Sequence, residues 1–237
     1  MTKTYMPEIK ICGITNLDDA RAACDAGADY LGFVIYDKSP RAVAPDALRR
    51  IREKLDKNIK CVGIFVNKPP LAVAKIAADC GLDIVQLCAD EQYEAFRLLP
   101  LPIWRVIRIQ NGLTQPPPSK WPAERYVLDA SQADLYGGTG TATDWTMAGR
   151  IAKEHKMMLA GGLTPNNVAT ALRIVRPFGV DVSSGVECRR GKKDHEKMRF
   201  FIEVIKKSCN DLSSQESESS PPATLCVALR AGSQYKE

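Results

Sequence analysis

The chain has 237 residues, a formal net charge of +5 and 45% apolar residues, values that are ordinary for a globular protein. No dense basic stripe with interleaved aromatic residues is present, which argues against nucleic acid as a partner, and no apolar run is long enough to span a membrane. Residues 1–10 are polar and mixed and do not resemble a secretory signal, so we expect a cytoplasmic protein.

The cysteines of the chain do not have the spacing of a metal site. Eight cysteines are scattered along the sequence, none forms a CxxC pair, and the chain has only two histidines. Zinc-binding chains usually bring pairs of ligands together at short spacings. We therefore expect free thiols in a reducing compartment and no metal site.

Short apolar runs alternate with helical patterns through most of the chain. Helices are predicted to begin at Asn16, Pro45 and Pro70, the second of them reaching Leu55. Eight strands separated by roughly 25 residues, with helices between them, predict a parallel eight-stranded (β/α)8 TIM barrel of the α/β class. An open doubly wound sheet is the alternative, but it usually has fewer strands and a glycine-rich turn after the first. The predicted strands are Ile9–Cys12, Tyr30–Tyr36, Lys60–Val66, Ile84–Cys88, Ile103–Ile109, Arg125–Asp129, Met157–Ala160 and Val180–Ser183.

The first predicted strand ends in a cysteine, Cys12, directly before Gly13. Alternation puts Lys10 and Cys12 on one face of this strand and Ile9 and Ile11 on the other. In a barrel, the isoleucines would pack against helices, and Cys12 would point inward near the C-terminal rim, where such barrels carry their active sites. A thiol there could act as a base or nucleophile, and a buried structural cysteine is the alternative.

Two further candidates follow the second and fourth strands. Arg41 ends the segment YDKSPR, and its guanidinium could bind a ligand carboxylate with two hydrogen bonds, whereas an ordinary surface arginine is the alternative. Cys88 has the same parity as Gln86, so we expect its thiol to point into the mouth of the barrel.

Charged residues with inward parity must be paired, because an unpaired charge inside a barrel is costly. We expect Lys10 and Asp181 to form an ion-paired layer, with Arg105 as a further member. Positive charge in this layer would favour the thiolate of Cys12.

The fifth and sixth strands are followed by unusual loops. QPPPSKWP, residues 115–122, cannot be a regular helix, so the fifth helix is predicted to be irregular. Asp129 ends the sixth strand, a position suited to general acid or base chemistry, although a structural ion pair is the alternative. The next loop contains YGGTG with Gly138, and such glycine-rich loops can bind an anion through backbone N–H groups or simply make turns.

Small residues follow the last two strands. AGGLTPNN carries Gly161 and Gly162, and DVSSGVE carries Ser183, Ser184 and Gly185. The loops after the seventh and eighth strands of such barrels often bind phosphate, because small residues allow close approach of backbone N–H groups. The sequence therefore predicts a phosphorylated small-molecule ligand.

After residue 209 the composition changes to DLSSQESESSPP, a polar, low-complexity stretch. Such a stretch cannot bury enough apolar surface to fold by itself. We expect a barrel domain over residues 1–209 and a disordered tail over 210–237. The sequence does not fix the oligomeric state, and we favour a monomer.

In this order, the segments resemble those of phosphoribosylanthranilate isomerase, a cofactor-free (β/α)8 barrel of tryptophan biosynthesis. The resemblance implies that Cys12 is the general base and Asp129 the general acid. It also implies that Arg41 contacts the anthranilate part of the substrate and that Asp181 supports the site. Gly161, Gly162, Ser183 and Ser184 would hold the phosphate. The matching segments are KICGIT, LGFVIYDKSPR, VGIFVN, IVQL, YVLDA, YGGTG, LAGGLTPNNV and VDVSSGVE with GKKD after it.

The chain departs from the family pattern at the fourth strand and after YGGTG. Cys88 and Ala89 stand where the family usually has histidine and glycine near the ligand, and residues 141–143 lack the usual long residue and phenylalanine. Two alternatives therefore stay open. One is a related phosphosugar isomerase with a different aglycone pocket, and the other is a non-catalytic barrel that binds a phosphorylated ligand.

Overall fold

The computed structural model describes residues 5–110, 112–129 and 142–219, with only the backbone described for 142–144 and 212–219. Strands and helices alternate through the described residues. The strands are β1 (Glu8–Cys12), β2 (Tyr30–Val34), β3 (Lys60–Phe65), β4 (Ile84–Leu87), β5 (Ile103–Gln110), β6 (Leu113–Gln115), β7 (Arg125–Asp129), β8 (Met157–Ala160), β9 (Gly179–Val182), β10 (Glu187–Arg189) and β11 (Lys192–Lys193). The helices are α1 (Leu17–Ala26), α2 (Pro45–Arg52), α3 (Pro70–Cys80), α4 (Tyr93–Phe96), α5 (Ala142–Glu154), α6 (Val168–Val175) and α7 (His195–Ser219).

Eight of these strands form a closed parallel barrel, which confirms the predicted fold. The hydrogen-bonded order is β4-β3-β2-β1-β9-β8-β7-β5, and pairing of β4 with β5 closes the ring. Strand β6 folds back antiparallel onto β5, and β10 and β11 form a separate hairpin after the last barrel strand. The described segment from Gly112 to Glu124 contains no helix, as the proline-rich sequence predicted.

Two apolar clusters follow from the alternation of side chains along the strands. Ile9 and Ile11 belong to the outer cluster, which packs the barrel against its helices. The inner cluster fills the barrel beneath its mouth and contains Val62, Ile84, Trp104, Val106, Val127, Met158 and Ala160. The interior is therefore a packed core with polar groups confined to specific layers.

A cationic side chain closes the N-terminal end of the barrel. Arg125 forms an ion pair with Glu8, and its guanidinium carbon lies 4.6 Å from the ring centre of Trp104 and 5.5 Å from that of Tyr30. These contacts satisfy a buried charge far from the C-terminal rim, where the candidate site residues lie.

Capping and turn residues in the sequence predict most ends of the helices and strands to within a few residues of those in the structure. The side chain of Asn16 accepts a hydrogen bond from the N–H of Asp19 and caps α1, as predicted. Helix α2 ends at Arg52, short of the predicted Leu55. Helix α7 continues to Ser219, so the predicted boundary after residue 209 falls inside a helix. The division into barrel and tail stays a prediction, and residues 220–237 lie outside the described residues.

Candidate active site

A cavity of about 400 Å³ opens at the C-terminal ends of the barrel strands. Most residues predicted for the site meet in its wall, although they come from distant parts of the sequence. Arg41 is not part of this lining, and Gly138 lies outside the described residues. The predicted residues that line the cavity are Cys12, Cys88, Asp129, Gly161, Gly162, Asp181, Ser183, Ser184 and Gly185.

Cys12 occupies the end of β1 and is partly exposed to the cavity. A Cβ atom at Gly32 on the neighbouring strand would lie 2.9 Å from Cys12 Sγ, so the glycine leaves room for the thiol. Burial raises the pKa of Cys12, and the nearby cations Lys10 and Lys193 only partly oppose this effect. The positive charge therefore favours the thiolate, as expected, but burial has the larger effect.

Lys10 and Asp181 form the expected buried ion pair beneath the cavity. They are directly opposite each other on β1 and β9, and Lys10 Nζ lies 2.7 Å from Asp181 Oδ2. Burial alone would lower the pKa of Lys10, but the charges of Asp181 and Cys12 outweigh it and raise that pKa. Within the described residues, the other carboxylate oxygen, Asp181 Oδ1, is buried without a hydrogen-bond partner.

Arg105 does not belong to this layer, which corrects the prediction. Its guanidinium pairs with Glu91, with Nη1 2.7 Å from Oε2, and also bonds the carbonyl of Ala89. The reason is parity, because Trp104 and Val106 belong to the inner cluster, and Arg105 therefore points the other way.

Arg41 uses two of its nitrogens on a carboxylate of the protein itself. Its Nε lies 2.8 Å from Glu187 Oε1, and its Nη2 lies 2.7 Å from Glu187 Oε2. These bonds raise the pKa of Arg41 and contribute to the lowered pKa of Glu187, whose burial has the opposite effect. We predicted two hydrogen bonds from Arg41 to a ligand carboxylate, but in the structure Arg41 donates them to Glu187.

The loops after β8 and β9 have the geometry of an anion site. Gly161 and Gly162 adopt φ angles of 86° and 67°, which residues with a Cβ atom rarely adopt. A Cβ at Gly185 would lie 1.8 Å from the carbonyl oxygen of Leu163, so only glycine lets the two loops meet. Ser183 Oγ is buried with no hydrogen-bond partner among the described residues, which leaves a donor for a ligand.

Asp129 and Cys12 face the same cavity from different strands. Asp129 is the last residue of β7 and lies opposite Ala160 of β8. A carboxyl group and a thiol on one cavity wall can exchange protons with the two ends of a small bound molecule. This arrangement suits acid and base chemistry on a phosphorylated ligand.

Two polar residues of the cavity wall were not among the predicted ligands. Arg108 lines the wall, its Nη2 lies 3.4 Å from the carbonyl oxygen of Cys88, and its Nε is buried with no partner in the described part of the chain. Gln86 also lines it, with Nε2 3.6 Å from Cys88 Sγ. The inward parity of Trp104, Val106 and Arg108 in β5 is the signal that could have identified the arginine.

The described residues offer no obvious metal site and no membrane span. They contain no group of three or more His, Cys, Asp or Glu side chains that could hold a metal ion. Of the helices in the described segments, none has the length and apolar character needed to cross a membrane.

Comparison with solved structures identifies close structural relatives. Phosphoribosyl anthranilate isomerase from Thermotoga maritima matches with a TM-score of 0.76 and 37% identity, over 85% of this chain and 100% of that chain. A structure of the isomerase in complex with reduced 1-(o-carboxyphenylamino)-1-deoxyribulose 5-phosphate matches with a TM-score of 0.73 and 34% identity, over 85% of this chain and 100% of that chain.

Sequence comparison gives the same result. N-(5'-phosphoribosyl)anthranilate isomerase from Pelobacter propionicus is 42% identical over 86% of this chain and 97% of its own length. The relative from Magnetococcus marinus is 44% identical over 85% of this chain and 96% of its own length. The family model described as N-(5'phosphoribosyl)anthranilate (PRA) isomerase matches residues 9–204, and the chain therefore belongs to this family.

Proposed function

We propose that the chain isomerises N-(5-phosphoribosyl)anthranilate to 1-(2-carboxyphenylamino)-1-deoxyribulose 5-phosphate, an Amadori rearrangement in tryptophan biosynthesis. The observation that carries this proposal is the single cavity lined by Cys12, Asp129 and the two glycine- and serine-containing loops. The family relationship supports the same substrate and product. Acid, base and anion-binding groups in one cavity are what this reaction requires.

The phosphate of the substrate fits the loops after β8 and β9. Backbone N–H groups near Gly161, Gly162 and Gly185, and the hydroxyls of Ser183 and Ser184, would donate hydrogen bonds to it. This contact places the ribose between Cys12 and Asp129. Because the phosphate does not change during the reaction, its contribution is mainly to positioning.

Proton transfer by the two facing side chains then completes the rearrangement. Protonated Asp129 donates to the ribose ring oxygen as the bond from that oxygen to C1 breaks, which gives an open-chain Schiff base. Cys12, as a thiolate, removes the proton from C2, and the electrons form an enolamine. The enolamine takes up a proton at C1 while its hydroxyl loses one, which gives the ketone product.

The high pKa of Cys12 limits this mechanism in the free protein. A thiol is mostly protonated at neutral pH even without burial, and burial raises the pKa of Cys12 further. The active form is therefore the minor population with Cys12 ionised, or forms as the substrate binds and Cys12 loses its proton.

For the anthranilate carboxylate, we propose a contact with Arg41 through Nη1, since Nε and Nη2 are bonded to Glu187. Cys88 would border the same part of the substrate, and Asp181 would support the site through Lys10. A cytoplasmic location and a monomeric state complete the proposal, and gel filtration with light scattering would test the latter.

Turnover measurement tests the proposal directly. Phosphoribosylanthranilate made in situ should lose its anthranilate fluorescence when the protein is added. Cys12→Ser and Asp129→Asn should each lower turnover by about a hundredfold or more, the usual effect of losing a general acid or base. Both variants should still bind a product analogue, because the phosphate loops are intact. Near-normal turnover by Cys12→Ser would remove the thiolate from the mechanism, and binding without any turnover by the unaltered chain would favour the non-catalytic alternative.

A further inference from the structure

A buried lysine behind the active site has no role in the mechanism described above. The side chain of Lys193 is fully buried, and its Nζ lies 3.0 Å from the carbonyl oxygen of Ser183 and 3.1 Å from Glu187 Oε1. Burying a lysine ammonium is costly unless its charge is paired and its hydrogens are bonded. Glu187 pairs the charge of Lys193, and the carbonyl of Ser183 accepts a hydrogen bond from its ammonium. These two contacts hold Lys193 Nζ at a defined position.

The backbone around Lys193 is fixed as firmly as its side chain. Its N–H lies 2.9 Å from Asp19 Oδ2 at the start of α1, and Lys193 lies opposite Glu187 in the β10–β11 hairpin. The hairpin therefore attaches the end of β9 to the first helix. This rigidity makes Lys193 suited to impose a fixed electric field on its surroundings.

Lys193, Glu187 and Arg41 together form a cluster of two cations and one anion, in which Arg41 is partly exposed. Glu187 Oε1 accepts from both Lys193 Nζ, at 3.1 Å, and Arg41 Nε, at 2.8 Å. One carboxylate cannot neutralise two cations, so the cluster keeps one positive charge below the pKa of Lys193, which burial lowers although the charge of Glu187 opposes this. The cluster lies against the end of β1, since a Cβ atom at Gly13, the residue after Cys12, would lie 2.6 Å from Arg41 Cδ and 3.0 Å from Ser183 Oγ. At this position the charges of Lys193 and Arg41 act on Cys12.

The other cation beside Cys12, Lys10, has a larger effect on the thiol than Lys193, but a carboxylate paired with it opposes that effect. Lys10 is paired with Asp181 at 2.7 Å, and the two charges act on Cys12 in opposite directions. Among the remaining groups, Cys88 is kept neutral by its burial, which raises its pKa to about 12. The charged and titratable groups around the thiol or lining its cavity are Lys10 on β1, Arg41 after β2, Cys88 after β4, Arg108 on β5, Asp129 on β7, Asp181 on β9, Glu187 on β10 and Lys193 on β11.

We propose that the Arg41–Glu187–Lys193 cluster stabilises the thiolate of Cys12, with Lys193 as the positioning residue that gives the cluster its positive charge. Lys193 does not line the cavity, so it acts through the field at Cys12 and through the Ser183 turn. The effect on turnover rests on the proposed role of Cys12 as the base. The effect on the thiol itself does not, and it can be measured without substrate.

The test is the pH dependence of Cys12 alkylation in the folded protein. Iodoacetamide would be applied in short pulses from about pH 6 to about pH 11, a range that spans ordinary thiol pKa values, and the Cys12 peptide would be quantified by mass spectrometry. Lys193→Met removes the charge but keeps a side chain of similar length. Lys192→Met is the matched control, because it removes the neighbouring, 41% exposed cation, whose Nζ lies 3.7 Å from Asp19 instead.

Two variants should shift the alkylation midpoint in opposite directions. Lys193→Met should raise it by about one unit, a tenfold loss of thiolate at a given pH below the midpoint. Glu187→Gln removes the anion of the cluster and should lower the midpoint, while Lys192→Met should leave it unchanged. The pH profile of kcat/KM should shift with the same signs, and Lys193→Arg should restore most of the original profile.

Loss of packing alone cannot produce this pattern, because it would move both midpoints in the same direction. An unchanged midpoint in Lys193→Met, or shifts of equal sign in Lys193→Met and Glu187→Gln, overturns the proposal. If Lys193→Met does not fold, judged by thermal melting, Glu187→Gln decides, and a midpoint that does not fall rejects the proposal. Altered alkylation in a chain without isomerase activity would reject the proposed function and leave this inference standing.

Discussion

Removing Asp181 should strongly destabilise the barrel, because it leaves Lys10 buried without its partner. The two groups lie 2.7 Å apart, and their side chains are 0% and 7% exposed. Asp181→Asn keeps the shape of the side chain but removes its charge. Breaking a buried ion pair on one side typically costs about 3–5 kcal/mol, because the remaining charge is uncompensated. For a domain of this size each kcal/mol lowers the Tm by about 2–4 °C, so we expect a fall of about 6–20 °C.

A double-mutant cycle distinguishes this effect from a simple packing loss. Lys10→Met combined with Asp181→Asn removes both charges and should be more stable than Asp181→Asn alone, by about 1–3 kcal/mol. Urea denaturation followed by tryptophan fluorescence gives the free energy of unfolding of each variant. A loss below about 1 kcal/mol in Asp181→Asn, or strictly additive losses in the cycle, would refute the reasoning.

The loss in free energy of unfolding caused by Asp181→Asn should also depend on pH. Without Asp181, burial lowers the pKa of Lys10 below that of a lysine in the unfolded chain. The unfolded state then binds more protons than the folded state between the two pKa values, so the stability of the variant should rise with pH in that window. The difference in free energy of unfolding between Asp181→Asn and the unaltered chain should therefore become smaller between neutral pH and about pH 10.

Four further predictions follow from the site and its surroundings. Because burial raises the pKa of Cys12, kcat/KM should rise with pH by up to about tenfold per unit through the neutral range, and a flat profile would contradict the thiolate mechanism. EDTA should leave turnover unchanged, since the described residues hold no cluster of three metal-ligating side chains; a loss reversed by a divalent cation would contradict this. Burial raises the pKa of Asp19, but hydrogen bonds from the Lys193 N–H, His195 and Asn16 outweigh the burial and lower that pKa. Asp19→Asn should therefore lower the free energy of unfolding, measured by urea denaturation, by about 1–3 kcal/mol at neutral pH. This loss should become smaller as the pH falls below about 4. Cys88→His should change KM more than kcat, because Cys88 lines the cavity and Cys12 remains; a large fall in Tm with unchanged KM would mean that Cys88 only fills space.

The barrel itself was predictable because each strand is a short apolar run bounded by turn residues. The structure reproduces Arg125–Asp129 and Met157–Ala160 without change and moves other strand ends by one or two residues. The same alternation that places Cys12 and Asp181 correctly would also have placed Arg108 inward. Arg105, expected in the layer of Lys10 and Asp181, has the opposite parity in its strand, and the structure pairs it with Glu91.

Strand alternation predicted the pairing of Lys10 with Asp181, but it could not predict the partner of Arg41 or the ionisation of Cys12. Arg41 and Glu187 are 146 residues apart, and no local sequence pattern predicts that the guanidinium of Arg41 will donate its hydrogen bonds to Glu187. The ionisation of Cys12 likewise depends on how much of the charge on Lys10 is cancelled by Asp181 and on how deeply the thiol is buried. Both quantities exist only once the strands are assembled.

The two buried lysines near Cys12 differ in how completely their charges are neutralised. Lys10 lies on a barrel strand, where an unpaired charge would be costly, and Asp181 on the adjacent strand neutralises it at 2.7 Å. Lys193 lies on a hairpin outside the barrel and shares its carboxylate partner with Arg41, so part of the positive charge survives. The surviving positive charge therefore lies against the Ser183 turn of the proposed phosphate site, whereas the Lys10–Asp181 pair is neutral as a whole.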